Sequence, residues 1–203
     1  MKPLVKVERI SSIEEALHLQ QLGVDIISIC LTPDPRFQDS RYVSEYVADE
    51  INNSLINSRL CCELESVNTH VNLIQNHRFD YIQCPERTPL NSQSKKVLKE
   101  ADTGIIYSGI QACHDDDPNW IVNPIENEQT FDKRFFQIDI LPDVNNSWNF
   151  LKTESPKYEE CLQIKDIKVL AYEFPLIISV DFQPDNIKDV LDCFPNINGI
   201  SFT

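Results

Sequence analysis

Residues 13–31 read IEEALHLQQLGVDIISICL, and this stretch decides the fold class. The first part predicts an amphipathic helix over residues 13–22, with Ser11 and Ser12 as N-cap candidates and Gly23 at its end. The second part, residues 25–31, is almost continuously apolar, as strands buried on both faces of a parallel sheet are. A helix that leads directly into such a strand is typical of a chain in which strands and helices alternate.

The same alternation extends outward in both directions. Strands are predicted at 5–7, 59–64, 80–84, 103–110, 135–141, 148–151, 175–180 and 198–203, with helices over 44–55, 68–76, 161–170 and 185–193 and a helix ending at 95–100. Strands and helices alternating at this spacing indicate βα units and a parallel sheet. Residues 112–146 are less regular, but no linker or repeat divides the chain, so residues 1–203 are predicted to form one domain.

Composition and charge exclude several classes of function. The net charge is −14 and the sequence pI is about 4.6, a potential that repels nucleic acids and anionic membranes. An acidic surface equally suits solubility alone. The N-terminal residues lack the apolar core of a signal peptide, and no stretch is long enough to span a membrane. The seven cysteines form no CxxC motif, which favours a reducing cytoplasm.

Phosphate, metal and cofactor sites have little support. The chain contains four glycines, whereas loops that hold phosphate use glycine for close backbone approach. His114 and the three aspartates that follow it suggest a metal site, but four consecutive residues cannot all reach one ion without a tight loop, so a solvated acidic turn is favoured. No Ser-His-Asp set, P-loop or dinucleotide motif can be assembled. We therefore predict no metal and no cofactor.

Six segments, in the correct order, resemble the phosphoribosylanthranilate isomerase family. They are VKVERISSIEEA (5–16), GVD (23–25), SRYVS (40–44), YIQ (81–83), TESPKY (153–158) and SVDFQPDN (179–186). The resemblance implies a small (β/α)8 TIM-type barrel. For this chain we expect it to be irregular after strand five and to lack the final helix.

The residues that the family uses for catalysis are replaced. The position of the general base, a cysteine in the family, holds Glu8, and the position of the general acid, an aspartate, holds Lys152. Arg9 replaces a glycine after the first strand. Glu159, Glu160 and Asp181 replace glycines that help to hold the substrate phosphate. Arg41 matches a substrate-contacting arginine of the family, although a structural role in the turn at residues 41–44 is an open alternative.

These replacements lead to two hypotheses for the function. Glu8 and Lys152 are expected to face each other across the barrel mouth, either as a salt bridge that plugs it or as a new acid–base pair. The first hypothesis is a non-catalytic, isomerase-like barrel, a cytoplasmic paralogue of a tryptophan-biosynthesis enzyme that binds a protein partner or forms a homodimer. The alternative is a diverged isomerase or lyase that uses Glu8, Lys152 and Arg41 on another small substrate. An eroded paralogue without activity is a third possibility.

Overall fold

Eight parallel strands close into a barrel, with β1 hydrogen-bonded to both β2 and β8. The computed structural model describes residues 2–31, 41–85, 90–114, 131 and 133–202. The strands are β1 Leu4–Val7, β2 Ile26–Cys30, β3 Arg59–Glu63, β4 Tyr81–Pro85, β5 Gly104–Ala112, β6 Arg134–Ile140, β7 Leu176–Ser179 and β8 Gly199–Phe202. The predicted (β/α)8 barrel is therefore confirmed.

The described residues contain seven α-helices, which lie outside the barrel. They are α1 Ile13–Gln21, α2 Glu45–Ser54, α3 Val71–Asn76, α4 Ser92–Glu100, α5 Ser147–Thr153, α6 Ile164–Glu173 and α7 Ile187–Cys193, with short 3-10 helices at Val67–Thr69 and Ser155–Lys157. None of these helices has the length and apolarity needed to cross a membrane.

Local sequence explains where α1 begins and ends. The Ser12 hydroxyl accepts a hydrogen bond from the Glu15 backbone N–H, so Ser12 is the N-cap that the sequence predicts. Gly23 follows the C-cap with a φ of +84°, a left-handed conformation that glycine adopts without strain. The chain then enters β2 in an orientation that places all five of its residues in the core.

One predicted element is wrong. Residues 148–151 were expected to form a strand, but they lie within the helix α5. Asn146 explains the helix, because its side chain accepts a hydrogen bond from the Asn149 backbone N–H and so caps the first turn. A four-residue segment with three apolar or aromatic side chains does not distinguish a strand from a short buried helix.

The predicted irregularity after strand five begins inside β5. The register between β5 and β6 shifts between Tyr107 and Ile110, and Gly109 adopts a φ of +78° within this irregularity. An extra residue in one strand bends it locally, and glycine supplies the unusual backbone angle. The segment between β5 and β6 lies largely outside the described residues.

The apolar core has two parts. The larger part fills the space between the barrel and its helices, and the smaller part lies inside the barrel. The inner cluster contains Ile26, Cys61, Tyr81, Ile106 and Ile177, with Leu4 and Phe135 packed against it. Cys61 and Cys62 are both fully buried and belong to different parts, so adjacent cysteines point to opposite faces of β3. This confirms that one of the pair points inward.

Candidate functional site

The inner apolar cluster identifies which side chains of each strand face the barrel axis. Because side chains alternate along a strand, residues two and four positions beyond a cluster member face the axis as well. Moving toward the carboxyl ends of the strands, these positions hold mainly polar residues: Lys6 and Glu8, Ser28 and Cys30, Glu63, Gln83, Gln137 and Asp139, and Ser201. Active sites of TIM barrels lie at this end. We call it the barrel mouth.

One carboxylate oxygen of Glu8 is the centre of a buried hydrogen-bond network. Glu8 Oε1 is paired with the ammonium of Lys6, and it accepts hydrogen bonds from Gln137 Nε2 at 2.7 Å and Ser201 Oγ at 3.0 Å. Gln83 Nε2 lies 3.5 Å away. Lys6 Nζ also donates to Gln137 Oε1 at 3.0 Å. Lys6 is 0% exposed and Glu8 is 8% exposed. The hydrogen bonds of Glu8 therefore connect β1 with β4, β6 and β8 inside the barrel.

The network holds both charges in place. Burial alone would raise the pKa of Glu8, but the Lys6 ammonium and the hydrogen bonds outweigh it, and the pKa lies below its ordinary value. Burial would lower the pKa of Lys6, but the Glu8 carboxylate outweighs that effect and the pKa is raised. Glu8 is therefore an ionised group with a fixed set of donors, which is a poor proton acceptor.

Two further carboxyl groups at the mouth have pKa values that are raised rather than lowered. Burial, and then the charge of Glu8, raise the pKa of Asp139 to about 6. The same two causes raise the pKa of Glu63, whose Oε2 accepts a hydrogen bond from Cys30 Sγ at 3.3 Å. Within the described residues, Glu63 Oε1 and Gln83 Oε1 are buried without a hydrogen-bond partner. Two oxygens of the mouth thus lack a hydrogen bond among the described residues, while the cations Lys6 and Arg9 oppose the rise in the pKa of Glu63.

Lys152 does not pair with Glu8, and the expectation of a Glu8–Lys152 pair is wrong. Lys152 lies in α5, and its ammonium is 2.6 Å from Asp189 Oδ2 in α7. It is also 5.6 Å from the centroid of the Trp148 ring, and its side chain is 45% exposed. The reason is the element that was predicted incorrectly, because residues 148–151 form a helix outside the barrel wall rather than a strand of it.

Arg41 lies near the start of α2, at the same end of the barrel as the mouth. Its guanidinium is 3.8 Å from the Glu15 carboxylate in the first turn of α1, and both side chains are exposed. The turn that it precedes is held by Ser44, whose hydroxyl accepts a hydrogen bond from the Val47 backbone N–H at 3.3 Å. Arg41 therefore lies at the rim, in contact with α1.

Asp181 replaces a family glycine in the loop after β7 and makes internal hydrogen bonds. Its carboxylate accepts one from the Asn146 backbone N–H at 2.7 Å and one from Gln183 Nε2 at 2.7 Å. Its own backbone N–H donates to Ser147 Oγ at 2.9 Å. Backbone N–H groups are the donors that hold phosphate in many proteins. Here two of them already donate to the Asp181 carboxylate and the Ser147 hydroxyl.

The other replaced glycines differ from Asp181. Arg9 is 3% exposed and has a φ of +60°, a left-handed conformation that favours glycine and is uncommon for a large side chain. Glu159 and Glu160 are exposed in the loop before α6.

A metal site is not found in the part of the chain that the structure describes. No group of three or more His, Cys, Asp or Glu side chains there is arranged to hold an ion. The aspartates of the acidic turn after His114, residues 115–117, lie outside the described ranges.

Sequence reasoning found Glu8 but missed the residues that surround it. The missed residues of this site are Lys6, Glu63, Gln137 and Asp139. The signal that could have found them is the spacing of polar residues at every second position of a strand. Lys6 lies in β1 and Glu8 directly after it, whereas Gln137 and Asp139 lie in β6, and each pair is two positions apart on one face. The residues between them are apolar, partly buried in β1 and buried in β6. Asp139 stands near the end of β6, two positions beyond Gln137 and on the same face of the strand.

Comparison with known proteins shows the fold. No family model and no curated protein matches the chain. A phosphoribosylanthranilate isomerase in complex with reduced 1-(o-carboxyphenylamino)-1-deoxyribulose 5-phosphate matches 99% of this chain and 87% of its own, at 15% identity and a TM-score of 0.69. N-(5'-phosphoribosyl)anthranilate isomerase from Pyrococcus furiosus matches 98% and 87%, at 14% identity and a TM-score of 0.69. The isomerase from Thermococcus kodakaraensis gives the same values. At these identities the likeness shows a shared fold.

Proposed function

We propose that this chain, a barrel with the fold of phosphoribosylanthranilate isomerase, does not catalyse that isomerisation and acts by binding a protein. The observation that carries the proposal is the network around Glu8. The isomerisation requires one group that takes a proton and another that gives one. Glu8 stands at the position of the base, and Lys6, Gln137 and Ser201 already bond to the same oxygen.

The loop after β7 supports the proposal independently. A sugar phosphate requires free N–H donors and positive potential, whereas Asp181 brings a carboxylate to that loop and bonds to the Asn146 N–H. At about 4 Å and an effective dielectric near 20, two like unit charges repel by about 4 kcal/mol. A phosphorylated substrate would therefore be repelled where the family holds it.

Charge and exposed aromatic side chains support binding of a protein with a basic surface. The net charge of −14 attracts such a partner over long range and raises the association rate. Tyr42 and Tyr46, at the start of α2 on the mouth side, are 46% and 69% exposed. Tyrosine is enriched at protein interfaces because it combines a large apolar ring with a polar end. A second copy of the chain is the other candidate partner.

The loss of isomerisation is tested by complementation. The gene, expressed in a tryptophan auxotroph that lacks the isomerase, is expected not to restore growth, whereas an active isomerase from the same vector does. A direct assay of the purified chain guards against poor expression. Growth at ordinary expression levels, or turnover above the background of the uncatalysed reaction, would overturn the proposal.

The binding function is tested separately by affinity capture and light scattering. A genuine basic partner is expected to bind the purified chain directly and to be released as salt is raised, because screening weakens surface attraction. Replacement of Tyr46 by Ser is expected to weaken binding, with Tyr172→Ser in α6 as the matched control. A chain that is monomeric over a hundredfold range of concentration and retains no partner in direct binding would contradict this function.

The alternative of an isomerase or lyase built on Glu8, Lys152 and Arg41 has less support. Lys152 is paired with Asp189, and Arg41 lies beside Glu15. Glu8 has its donors within the barrel. The three groups thus contact different partners rather than one another.

A further inference from the structure

A second concave site lies beside the barrel, outside the mouth. It is a cavity of about 330 Å³, lined by His114, Phe150, Glu154, Ser155, Tyr158 and Cys161. His114 follows the carboxyl end of β5, and the other five residues belong to α5 and the loop before α6. Its volume is at the lower end of the range of ligand pockets, which suits a small molecule of one or two rings.

Half of the residues that line this cavity have aromatic rings. The rings of His114 and Phe150 meet edge to face, with centroids 6.0 Å apart and an interplanar angle of 78°. Tyr158 stands at the opening and is 54% exposed, one of the few large apolar side chains that the fold leaves uncovered. Rings arranged in this way present both a face and an edge to a third ring. Aromatic rings in such orientations attract one another through their quadrupoles.

The polar groups of the cavity indicate a neutral ligand with a hydrogen-bonding group. Ser155 is fully buried, so it belongs to the inner wall, and its hydroxyl has no hydrogen-bond partner within the described residues. Glu154 is neutralised by Lys157, whose Nζ lies 2.8 Å from both carboxylate oxygens. An uncharged ligand therefore meets a cavity without net charge, and a hydroxyl or ring N–H on it can satisfy Ser155.

We propose that this cavity binds a small, flat, uncharged aromatic or heteroaromatic molecule that carries one hydrogen-bonding group. The ring packs among His114, Phe150 and Tyr158, and the polar group reaches Ser155. The site is separate from the Glu8 network, and its occupation requires no isomerase chemistry.

The experiment compares two alcohols of nearly the same size, 2-naphthol and decahydro-2-naphthol. Each is titrated into the full chain labelled with 15N, and backbone amide shifts are followed. We expect saturable shifts at residues 114, 150, 154, 155, 157, 158 and 161, with 2-naphthol bound about threefold to tenfold more tightly, because only the aromatic ring gains ring–ring attraction.

Two matched variants locate the site. Tyr158→Leu is expected to weaken the binding of 2-naphthol by a similar factor and to leave decahydro-2-naphthol unchanged. Tyr172→Leu, at an exposed position in α6 outside the cavity, is expected to change neither. Thermal unfolding verifies that all three proteins are folded. Equal affinities for the two alcohols, equal behaviour of the two variants, or the absence of saturable shifts up to the solubility of the probes would overturn the proposal.

Discussion

Two lysine–carboxylate pairs in this protein have similar chemistry and opposite surroundings. Lys6 and Glu8 are enclosed by the barrel, at 0% and 8% exposure, and share a network with Gln137. Lys152 and Asp189 join α5 to α7 on the surface, at 45% and 53% exposure. The resemblance to the isomerases had matched one residue from each pair, Glu8 and Lys152, to the catalytic positions.

The surroundings determine how much each pair contributes to the free energy of unfolding. A buried pair costs much desolvation and is stable only when further hydrogen bonds complete it, so removal of one partner leaves an uncompensated charge. An exposed pair gains little, because water and salt screen it and two long side chains lose freedom. The comparison therefore predicts that equivalent substitutions have very different effects.

The largest effect is expected for Lys6→Met. The substitution preserves the length and apolar stem of the side chain but leaves the Glu8 carboxylate buried without its cation, at a cost of about 3 to 5 kcal/mol in the free energy of unfolding. Such a loss is a large part of the stability of a typical domain. Urea unfolding, with the slope compared between variants, measures it.

The double variant Lys6→Met with Glu8→Gln is the control for this prediction. The glutamine is neutral and still accepts hydrogen bonds from Gln137 and Ser201, so most of the lost stability is expected to return. If the double variant were no more stable than Lys6→Met alone, loss of packing rather than a stranded charge would be the cause.

The sequence predicted the barrel well because the barrel depends on local patterns. The apolar run of β2 and the Ser12 cap of α1 each specify their element without help from distant residues. The one misassigned element, at residues 148–151, is a short, mainly apolar segment whose deciding residue is Asn146, which precedes it.

The mouth was predicted poorly because its contacts join residues far apart in the chain. Lys6 and Gln137 are 131 positions apart, and their contact depends on barrel closure and on the stagger of the strands. A motif match assigns a position along the chain, whereas Asp139 reaches the mouth through its place on β6. Period-two polarity on β1 and β6 was visible in the sequence, but it does not say which polar residues meet.

The second effect concerns the ionisation of Asp139, a partly buried residue whose carboxyl is close enough to Glu8 to be affected by its charge. Its pKa of about 6 lies above its ordinary value of 3.8, so the folded state binds the proton more tightly than the unfolded state does. The contribution of Asp139 to stability is therefore complete below about pH 4 and is lost as the pH rises through about 6. Asp139→Asn removes this cost, and we expect a gain of about 2 kcal/mol at pH 7.5 that vanishes near pH 4.

Unfolding in urea across that pH range tests the Asp139 prediction. Asp143→Asn is the matched control, because Asp143 is exposed in the turn after β6. A gain that is the same at both ends of the pH range would show that packing, and not ionisation, distinguishes the asparagine.

A third and smaller effect is expected at His77, which is intermediate between the two pairs. Its ring bonds to Asp49 Oδ1 at 2.8 Å and to Glu45 Oε2 at 2.9 Å, and both carboxylates are half exposed or more. The hydrogen bond to Asp49 raises the pKa of His77, an effect that partial burial opposes and the bond to Glu45 reinforces.

The raised pKa fixes the sign of the pH dependence at His77. The stabilisation is complete below the ordinary pKa of histidine, about 6.5, and is lost as the pH rises through the higher folded value. His77→Gln is expected to abolish this decline, as measured by thermal unfolding between pH 6 and 8.5. His18→Gln, at an exposed position of α1, is the control, and a decline that persists in His77→Gln would assign it to another group.

The smallest effect is expected for Lys152→Met, the surface counterpart of Lys6→Met. The pair with Asp189 is open to solvent, and a methionine retains the packing of the lysine stem against the Trp148 ring. Unfolding in urea is therefore expected to be indistinguishable from that of the parent protein. The pair is nevertheless detectable by titration, because the hydrogen bonds from Lys152 and then Trp148 lower the pKa of Asp189, and removal of the lysine is expected to raise it toward its ordinary value. NMR titration of the Asp189 carboxyl carbon, in both proteins, measures that change. A variant that lost as much stability as Lys6→Met would remove the distinction between the two pairs, since burial would then not be what separates them.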